Sequence, residues 1–197
     1  MALFPIWVAL WIVIPLAIWI EDRGPVFFKQ ERAGKNRRDF MAIKFRTMVP
    51  DADKQGLMTG NDDPRVTKVG RILRRTALDE LPQVINIFKG DMSFVGPRAL
   101  PTKMHEEELL VEPRFSERLS VIPGLTGVAQ LYLPRHCPPK RRLRYDLVYI
   151  KKASLWLDIR LMLLAAWNTL TGSWGTGDRK VAVEMEDESS KPLATGR

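Results

Sequence analysis

Cysteine and histidine are scarce in this chain of 197 residues, which has one cysteine, Cys137, and two histidines, His105 and His136. A single cysteine cannot form an internal disulfide bond, which fits a reducing compartment. Two distant histidines and one cysteine also argue against a zinc site. No internal repeat is present. The length then fits one domain, or one domain with a tail.

Charged residues are absent from Ala2 to Ile20, although 27% of the whole chain is charged. As a helix this run would reach roughly 28 Å, about the thickness of one hydrocarbon core. The basic start and small-residue cleavage site of a signal peptide are missing. Pro15 removes a helical hydrogen bond, so we expect a bend there. Two interpretations stay open: a re-entrant helix that turns back within the bilayer, and a straight single span.

Positive charge is in excess, with a net charge of +8. Anionic partners are therefore expected: membrane lipid, nucleotide phosphate or nucleic acid. The residues that follow the apolar run are basic and place its C-terminal side in the cytoplasm: Arg23, Lys29, Arg32 and Lys35. A later cluster would attract anionic lipid or simply solubilise its face: Lys140, Arg141, Arg142, Lys151 and Lys152. Nucleic acid is not an expected partner, because no zinc finger, RNA-binding motif or recognition helix accompanies the charge.

Hydrophobic spacing predicts a mixed α+β fold, mostly helical with one short β-hairpin. The predicted strands are 26–32 and 40–45, joined by a turn at 33–38. Helices are predicted at 66–75, at 76–88 with a bend at Pro82, at 102–111 and at 154–170, with loops at 51–64 and 121–130. The 154–170 helix is amphipathic and would pack in the core or lie along a membrane. The divisions are a membrane segment at 1–22, a domain at 23–171 and a disordered tail at 172–197.

The adjacent carboxylates Asp79 and Glu80, preceded by Arg74 and Arg75, are the main candidates for chemistry. A carboxylate can attack phosphorus when arginines and a carboxylate-bound Mg²⁺ neutralise the phosphate oxygens. In the alternative, Thr76 and Asp79 form the Ser/Thr-x-x-Asp/Glu start of a helix, and the acid only favours the helix dipole. A glycosidase site is excluded, because adjacent helical residues point about 100° apart and cannot face each other across a glycosidic bond.

Six motifs extend this pattern along the chain. They are Gly24-Pro-Val-Phe-Phe-Lys-Gln-Glu-Arg32, Lys44-Phe-Arg-Thr-Met48, Leu78-Asp-Glu-Leu-Pro-Gln83, Gly90-Asp-Met-Ser-Phe-Val-Gly-Pro-Arg98, Pro123-Gly-Leu-Thr-Gly127 with Gln130, and Tyr145-Asp-Leu-Val-Tyr149. Each is weak alone, but six in this order are specific. From about Leu10 to Leu170 the chain resembles the bacterial sugar transferases of the monotopic phosphoglycosyl transferase family.

The resemblance implies an enzyme that moves a phospho-sugar from a nucleoside-diphosphate sugar, usually a UDP-sugar, onto polyprenol (undecaprenyl) phosphate, releasing UMP. It makes Asp79 the nucleophile of a covalent phospho-sugar intermediate, and it ties Glu80 to Mg²⁺ and to the acceptor. Arg74 is assigned to phosphate binding. The predicted substrate-binding set is Arg74, Arg75, Lys44, Arg46, Pro97 and Arg98, the last two in the element near the nucleotide.

The resemblance also implies a monotopic protein of the bacterial inner membrane, with a re-entrant helix, interfacial amphipathic helices and the catalytic domain on the cytoplasmic face. The lipid bilayer and downstream glycosyltransferases of exopolysaccharide, capsule, O-antigen or glycoprotein assembly would be partners. Three positions depart from the family pattern: Ile14 replaces a serine, Ala99 a proline and Val128 a common tryptophan. The alternative function is a non-catalytic, membrane-anchored scaffold, against which the intact Asp79-Glu80 pair argues.

Overall fold

The computed structural model describes residues 3–52, 63–134 and 137–171. The predicted tail at 172–197, most of the predicted loop at 51–64, and His136 lie outside the described residues.

The described residues form a mixed α+β fold that is mostly helical, as predicted. Its α-helices are α1 (Leu3–Asp22), α2 (Lys68–Thr76), α3 (Gln83–Phe88), α4 (Thr102–Val111), α5 (Val128–Tyr132), α6 (Pro139–Lys152) and α7 (Leu155–Thr171). Its strands are β1 (Phe27–Arg32), β2 (Phe40–Phe45), β3 (Ser93–Val95) and β4 (Gly124–Thr126). Short 3₁₀ segments lie at Lys35–Arg37, Leu78–Glu80 and Pro113–Ser120.

Strands β1 and β2 pair as the predicted antiparallel hairpin. The turn between them contains two residues in the left-handed region, Asn36 at φ 54° and Arg37 at φ 61°. Asparagine tolerates this conformation better than most residues, and it lies where the sequence predicts the turn.

Three of the predicted helices are confirmed. Helix α4 has the predicted bounds, and α7 is displaced by one residue from its prediction. Helix α2 begins at Lys68 because the hydroxyl oxygen of Thr67 accepts a hydrogen bond from the backbone N–H of Gly70, at 2.9 Å. This is the side-chain cap that threonine favours at a helix start.

The predicted single helix at 76–88 is wrong. Thr76 ends α2, and its hydroxyl donates back to the carbonyl of Ile72 instead of capping a new helix. Ala77 then adopts the left-handed conformation, at φ 54° and ψ 17°, which no α-helix contains. Pro82 has no N–H to donate into a preceding turn, and α3 starts only after it. The chain therefore forms two short helices with a 3₁₀ turn between them.

The predicted loop at 121–130 is wrong in part, because it contains β4 and the start of α5. Strand β4 pairs in parallel with β3, in the register Ser93 to Gly124 and Val95 to Thr126. Gly96 and Gly124 permit this close pairing, since a Cβ on Gly124 would lie 2.1 Å from the nitrogen of Gly96. The turn-forming residues that suggested a loop therefore let two backbones approach each other.

The described chain divides into two compact units. Unit 1 comprises Met1–Gln30 and Ala42–Ile85, and its apolar core is formed by Ile14, Ile18, Phe45 and Leu73. Unit 2 comprises Glu31–Met41 and Asn86–Arg197. The core of unit 2 is centred on Val128, Leu131, Tyr145, Tyr149 and Leu161.

Helix α1 ends at Asp22, where the predicted membrane segment ends, and Pro15 lies inside it. One side of the helix is packed, with Ile14 and Ile18 buried, whereas Ile12, Val13 and Ile20 are exposed. Within the part of the chain that the structure describes, no helix is both long and apolar enough to span a membrane.

Candidate functional site

Asp79 and Glu80 lie on the 3₁₀ turn Leu78–Glu80 of unit 1. The left-handed Ala77 ends α2, and its N–H donates to the carbonyl of Leu73. The carbonyl of Ala77 then accepts the N–H of Glu80 at 3.2 Å, which closes the turn. Both carboxylates are therefore held on a short irregular segment between two helices, and neither lies in a helix interior.

Lys44 of β2 brings the two carboxylates together. Its Nζ lies 2.7 Å from Oε1 of Glu80 and 3.8 Å from Oδ2 of Asp79. The side chains of Lys44, Asp79 and Glu80 are 16%, 13% and 14% exposed. The ammonium group offsets the mutual repulsion of the carboxylates where little water is present to screen it. The three side chains form the candidate site, which we call the Lys44 cluster.

The predicted phosphate-binding arginines lie in the last turn of α2. Arg74 is half-buried, and its Nε donates to Oγ1 of Thr47 at 2.8 Å. Arg75 is exposed. Cations are favoured at a helix C-terminus, so the helix itself stabilises both arginines there. Their contact with a substrate stays a prediction.

Arg46 is buried and pairs with Asp22 at the end of α1. Burial alone would raise the pKa of Asp22, but the hydrogen bonds from Arg46 and from the N–H of Gly24 lower it below its usual value. Gly24 also leaves room for the guanidinium, because a Cβ there would lie 2.5 Å from Nη1 of Arg46. Arg46 thus joins α1 to the end of β2, and its predicted substrate contact remains a prediction.

Pro97 and Arg98 belong to unit 2. Pro97 is buried and Arg98 is half-buried. The carbonyl of Pro97 accepts the N–H of Gly124 at 3.0 Å, and the carbonyl of Arg98 accepts a hydrogen bond from Nη2 of Arg118 at 2.9 Å. The segment is therefore fixed through its backbone.

Sequence inspection missed a buried ion pair in unit 2. Nε of Arg118 donates to Oδ2 of Asp146 at 2.8 Å, and both side chains are 1% exposed. Burial raises the pKa of Asp146, and the charge of Arg118 opposes that rise. Asp146 lies in the motif Tyr145-Asp-Leu-Val-Tyr149 and could have been singled out, whereas no local pattern marks Arg118. Thr47, the partner of Arg74, was also missed.

The Lys44 cluster fits Mg²⁺ only as part of a coordination shell. Among the described residues, no group of three or more histidine, cysteine, aspartate or glutamate side chains could hold a metal ion. Mg²⁺ usually takes one or two carboxylates together with waters and substrate phosphates. Glu80 and Asp79 match that donor set, and the remaining ligands would have to come from a phosphate-bearing substrate and from water.

The chain belongs to the bacterial sugar transferase family, whose sequence profile matches residues 1–172. It is 40% identical over 178 residues to the UDP-glucose:undecaprenyl-phosphate glucose-1-phosphate transferase of Xanthomonas campestris pv. campestris, covering 86% of this chain and 36% of that protein. It is 37% identical over 172 residues to the UDP-N-acetylgalactosamine-undecaprenyl-phosphate N-acetylgalactosaminephosphotransferase of Aeromonas hydrophila, covering 85% and 41%. The family expected from the six motifs is therefore confirmed.

A third relative is nearer to this chain in length. The exopolysaccharide production protein PSS of Rhizobium leguminosarum bv. phaseoli is 40% identical over 172 residues, covering 82% of this chain and 86% of that protein. The chain thus spans about two fifths of the length of the first two relatives, at 36% and 41%, but most of the third.

Proposed function

We propose that the protein transfers a sugar phosphate from a nucleoside-diphosphate sugar, with UDP as the nucleotide, to undecaprenyl phosphate. The Lys44 cluster is the observation that carries this proposal, because it presents a carboxylate beside a cation within a family of sugar transferases. The names of the relatives from Xanthomonas and Aeromonas support the donor and acceptor classes.

In the proposed first step, a carboxylate oxygen of Asp79 attacks the sugar-bearing phosphorus of the donor. An O–P bond forms to Asp79, the bridging P–O bond of the diphosphate breaks, and UMP leaves with the bonding electrons. In the second step, a phosphate oxygen of undecaprenyl phosphate attacks the same phosphorus and releases the Asp79 carboxylate. Two displacements at one phosphorus return the enzyme to its starting state.

Lys44 would support these steps electrostatically. An anionic carboxylate is repelled by a diphosphate, and positive charge next to the nucleophile offsets part of that repulsion. Nζ of Lys44 lies 3.8 Å from Oδ2 of Asp79, so a phosphate that approaches the nucleophile would also approach this positive charge. Arg74 and Arg98 would bind further phosphate oxygens. Bound Mg²⁺, held by Glu80 and the donor, would supply additional neutralisation of the diphosphate.

We further propose that the protein is monotopic in the bacterial inner membrane, with α1 and α7 in contact with lipid. Helix α7 exposes large apolar side chains at Leu155, Trp156, Trp167 and Leu170. Tryptophan favours the boundary between lipid and water. The acceptor is a lipid, so the active site has to work at that boundary, and the product would enter glycan assembly.

The proposed function is tested with purified protein in nanodiscs, undecaprenyl phosphate, Mg²⁺ and a panel of UDP-sugars. UMP release is measured for the wild type, for Asp79→Asn and for the matched control Asp39→Asn. Asp39 is exposed and is not one of the three cluster residues, so its substitution repeats the chemical change outside the Lys44 cluster. We expect UMP release from a particular donor, loss of turnover in Asp79→Asn, and wild-type turnover in Asp39→Asn.

Near-wild-type turnover in Asp79→Asn would contradict the role of Asp79. Failure of the folded wild type to release UMP from any donor would favour the non-catalytic scaffold once other nucleotide sugars had been tried. A chelator tests the metal separately: activity should disappear and return with added Mg²⁺. Full activity without metal would remove the role given to Glu80.

A further inference from the structure

Unit 2 contains an irregular backbone segment, residues 97–100, whose carbonyls are all hydrogen-bonded. The carbonyls of residues 97–100 each accept a hydrogen bond from a different donor. The carbonyl of Pro97 accepts from the N–H of Gly124 at 3.0 Å, and that of Arg98 from Nη2 of Arg118 at 2.9 Å. The carbonyl of Ala99 accepts from Nη1 of Arg32 at 2.8 Å, and that of Leu100 from the N–H of Ala33 at 3.0 Å. Four consecutive carbonyls are thus held although the segment is neither helix nor strand.

Two of these donors are buried guanidinium groups, on Arg32 at 7% exposure and Arg118 at 2%. Burying an arginine is costly unless its charge and its N–H groups find partners. Arg118 has Asp146 as its carboxylate partner and also packs against the ring of Phe115, with its Cζ 4.9 Å from the ring centroid. Neutral backbone donors would satisfy the same carbonyls at lower cost. The placement of two arginines there indicates that the position of the segment matters.

We infer that Arg32 and Arg118 are positioning residues that hold the backbone of residues 98 and 99 and thereby aim the side chain of Arg98 at the nucleotide diphosphate. This inference rests on the proposed function, which gives Arg98 a phosphate-binding role. Arg32 and Arg118 donate to the carbonyls of Ala99 and Arg98, and together we call them the carbonyl clamp. Neither arginine of the clamp contacts the substrate itself.

The guanidinium shape is essential to the clamp. Arg118 donates through Nε to Asp146 and through Nη2 to the carbonyl of Arg98, in two directions at once. A lysine has one compact ammonium group and cannot reproduce that rigid fork. Arg118→Lys therefore keeps the charge beside Asp146 while it weakens the hold on Arg98.

Arg142 provides a matched control in the same unit. It pairs with Glu108 at 3.0 Å, donates to the carbonyl of Cys137 and is also largely buried, at 12% exposure of its side chain. It therefore has both kinds of partner that Arg118 has, but its carbonyl lies outside residues 97–100. Arg142→Lys should cost stability without loosening the segment.

The test compares the wild type with Arg118→Lys, Arg32→Lys and Arg142→Lys. Hydrogen–deuterium exchange of the peptide covering residues 96–101 reports the clamp without any substrate. Calorimetric UMP affinity and the KM and kcat for the donor report its consequence. We expect both clamp variants to exchange faster in this peptide. UMP binding should weaken and KM should rise by about tenfold, the effect of losing one charge-assisted hydrogen bond from Arg98 to a phosphate. The value of kcat should change little.

Exchange in the clamp variants no faster than in Arg142→Lys would overturn the clamp. Faster exchange with unchanged UMP affinity and KM would overturn its role in substrate binding. A wild type that neither binds UMP nor turns over a donor would contradict the proposed function instead, while the exchange comparison still decides the clamp. If Arg118→Lys does not fold, Arg32→Lys gives the same decision.

Discussion

Removing the charge of Lys44 is the most informative perturbation of the candidate site. Lys44→Met keeps a side chain of similar length and apolar stem but leaves Asp79 and Glu80 without their shared cation. At an effective dielectric constant of about 20, the attraction between Lys44 and Asp79 across 3.8 Å amounts to about 4 kcal/mol. The corresponding attraction to Glu80 across 2.7 Å is about 6 kcal/mol.

Most of this gross attraction offsets the cost of withdrawing the three groups from water. A hydrogen bond to a charged group contributes about 1.5–3 kcal/mol net, and the small exposure of Lys44, at 16%, requires no large further discount. We therefore expect the free energy of unfolding to fall by about 2 kcal/mol in Lys44→Met. If the same interaction neutralises the reacting diphosphate, kcat/KM should fall by about 10- to 100-fold, since each 1.4 kcal/mol is a factor of ten.

The assay is UMP release at varied donor concentration, with thermal unfolding measured on the same samples. Lys103→Met is the control, because Lys103 is exposed on α4 in unit 2. Lys44→Arg should recover part of the activity, because it restores the charge. Lys44→Met with kcat/KM within about twofold of the wild type would refute the electrostatic role of the cluster.

Three further outcomes follow from the packing and charges of the two units. Burial lowers the pKa of His105, and the positive charges of Arg118 and Arg37 lower it further. The folded state therefore favours the neutral ring, which stabilises the fold at high pH. This stabilisation is lost as the pH falls from about 6.5 through the lowered pKa. Between about pH 8 and pH 5 the thermal midpoint of the wild type should drop by more than that of His105→Gln, and equal drops would contradict this. Gly70→Ala should destabilise unit 1 by about 1–3 kcal/mol despite alanine's helix propensity, because the new Cβ would lie 2.0 Å from the carbonyl oxygen of Thr47. Denaturant unfolding measures this loss, and an unchanged midpoint would show that the contact is absent. In a double-mutant cycle, Arg118→Met alone should cost about 3–5 kcal/mol and the addition of Asp146→Leu should restore part of it, whereas additive losses would show that the two residues are not coupled.

The sequence predicted the elements whose signals are local. Strands β1 and β2 and helices α4 and α7 were all predicted close to their observed bounds. Strand β4 has only three residues and pairs with β3 about thirty positions earlier in the chain, in parallel. Local sequence cannot reveal such a pairing, and its glycines and proline were read as turn formers.

The candidate site was predicted in its parts but not in its arrangement. Asp79, Glu80 and Lys44 were each named from their sequence neighbourhood, but the ion pairs that join them depend on how β2 meets the turn after α2. The left-handed Ala77, which separates that turn from α2, has no sequence signal, since alanine usually continues a helix. Arg46 shows the converse: its charge suggested a ligand contact, and its observed partner is Asp22.

Covalent trapping of the phospho-sugar on Asp79 is the most direct test of the proposed two-step reaction. The wild type is incubated with the accepted UDP-sugar and Mg²⁺ without undecaprenyl phosphate, and the intact protein and its peptides are examined by mass spectrometry. We expect one phospho-sugar per chain, attached to Asp79, absent from Asp79→Asn and discharged when undecaprenyl phosphate is added. UMP release with the adduct on another residue, or an adduct that undecaprenyl phosphate does not discharge, would contradict it.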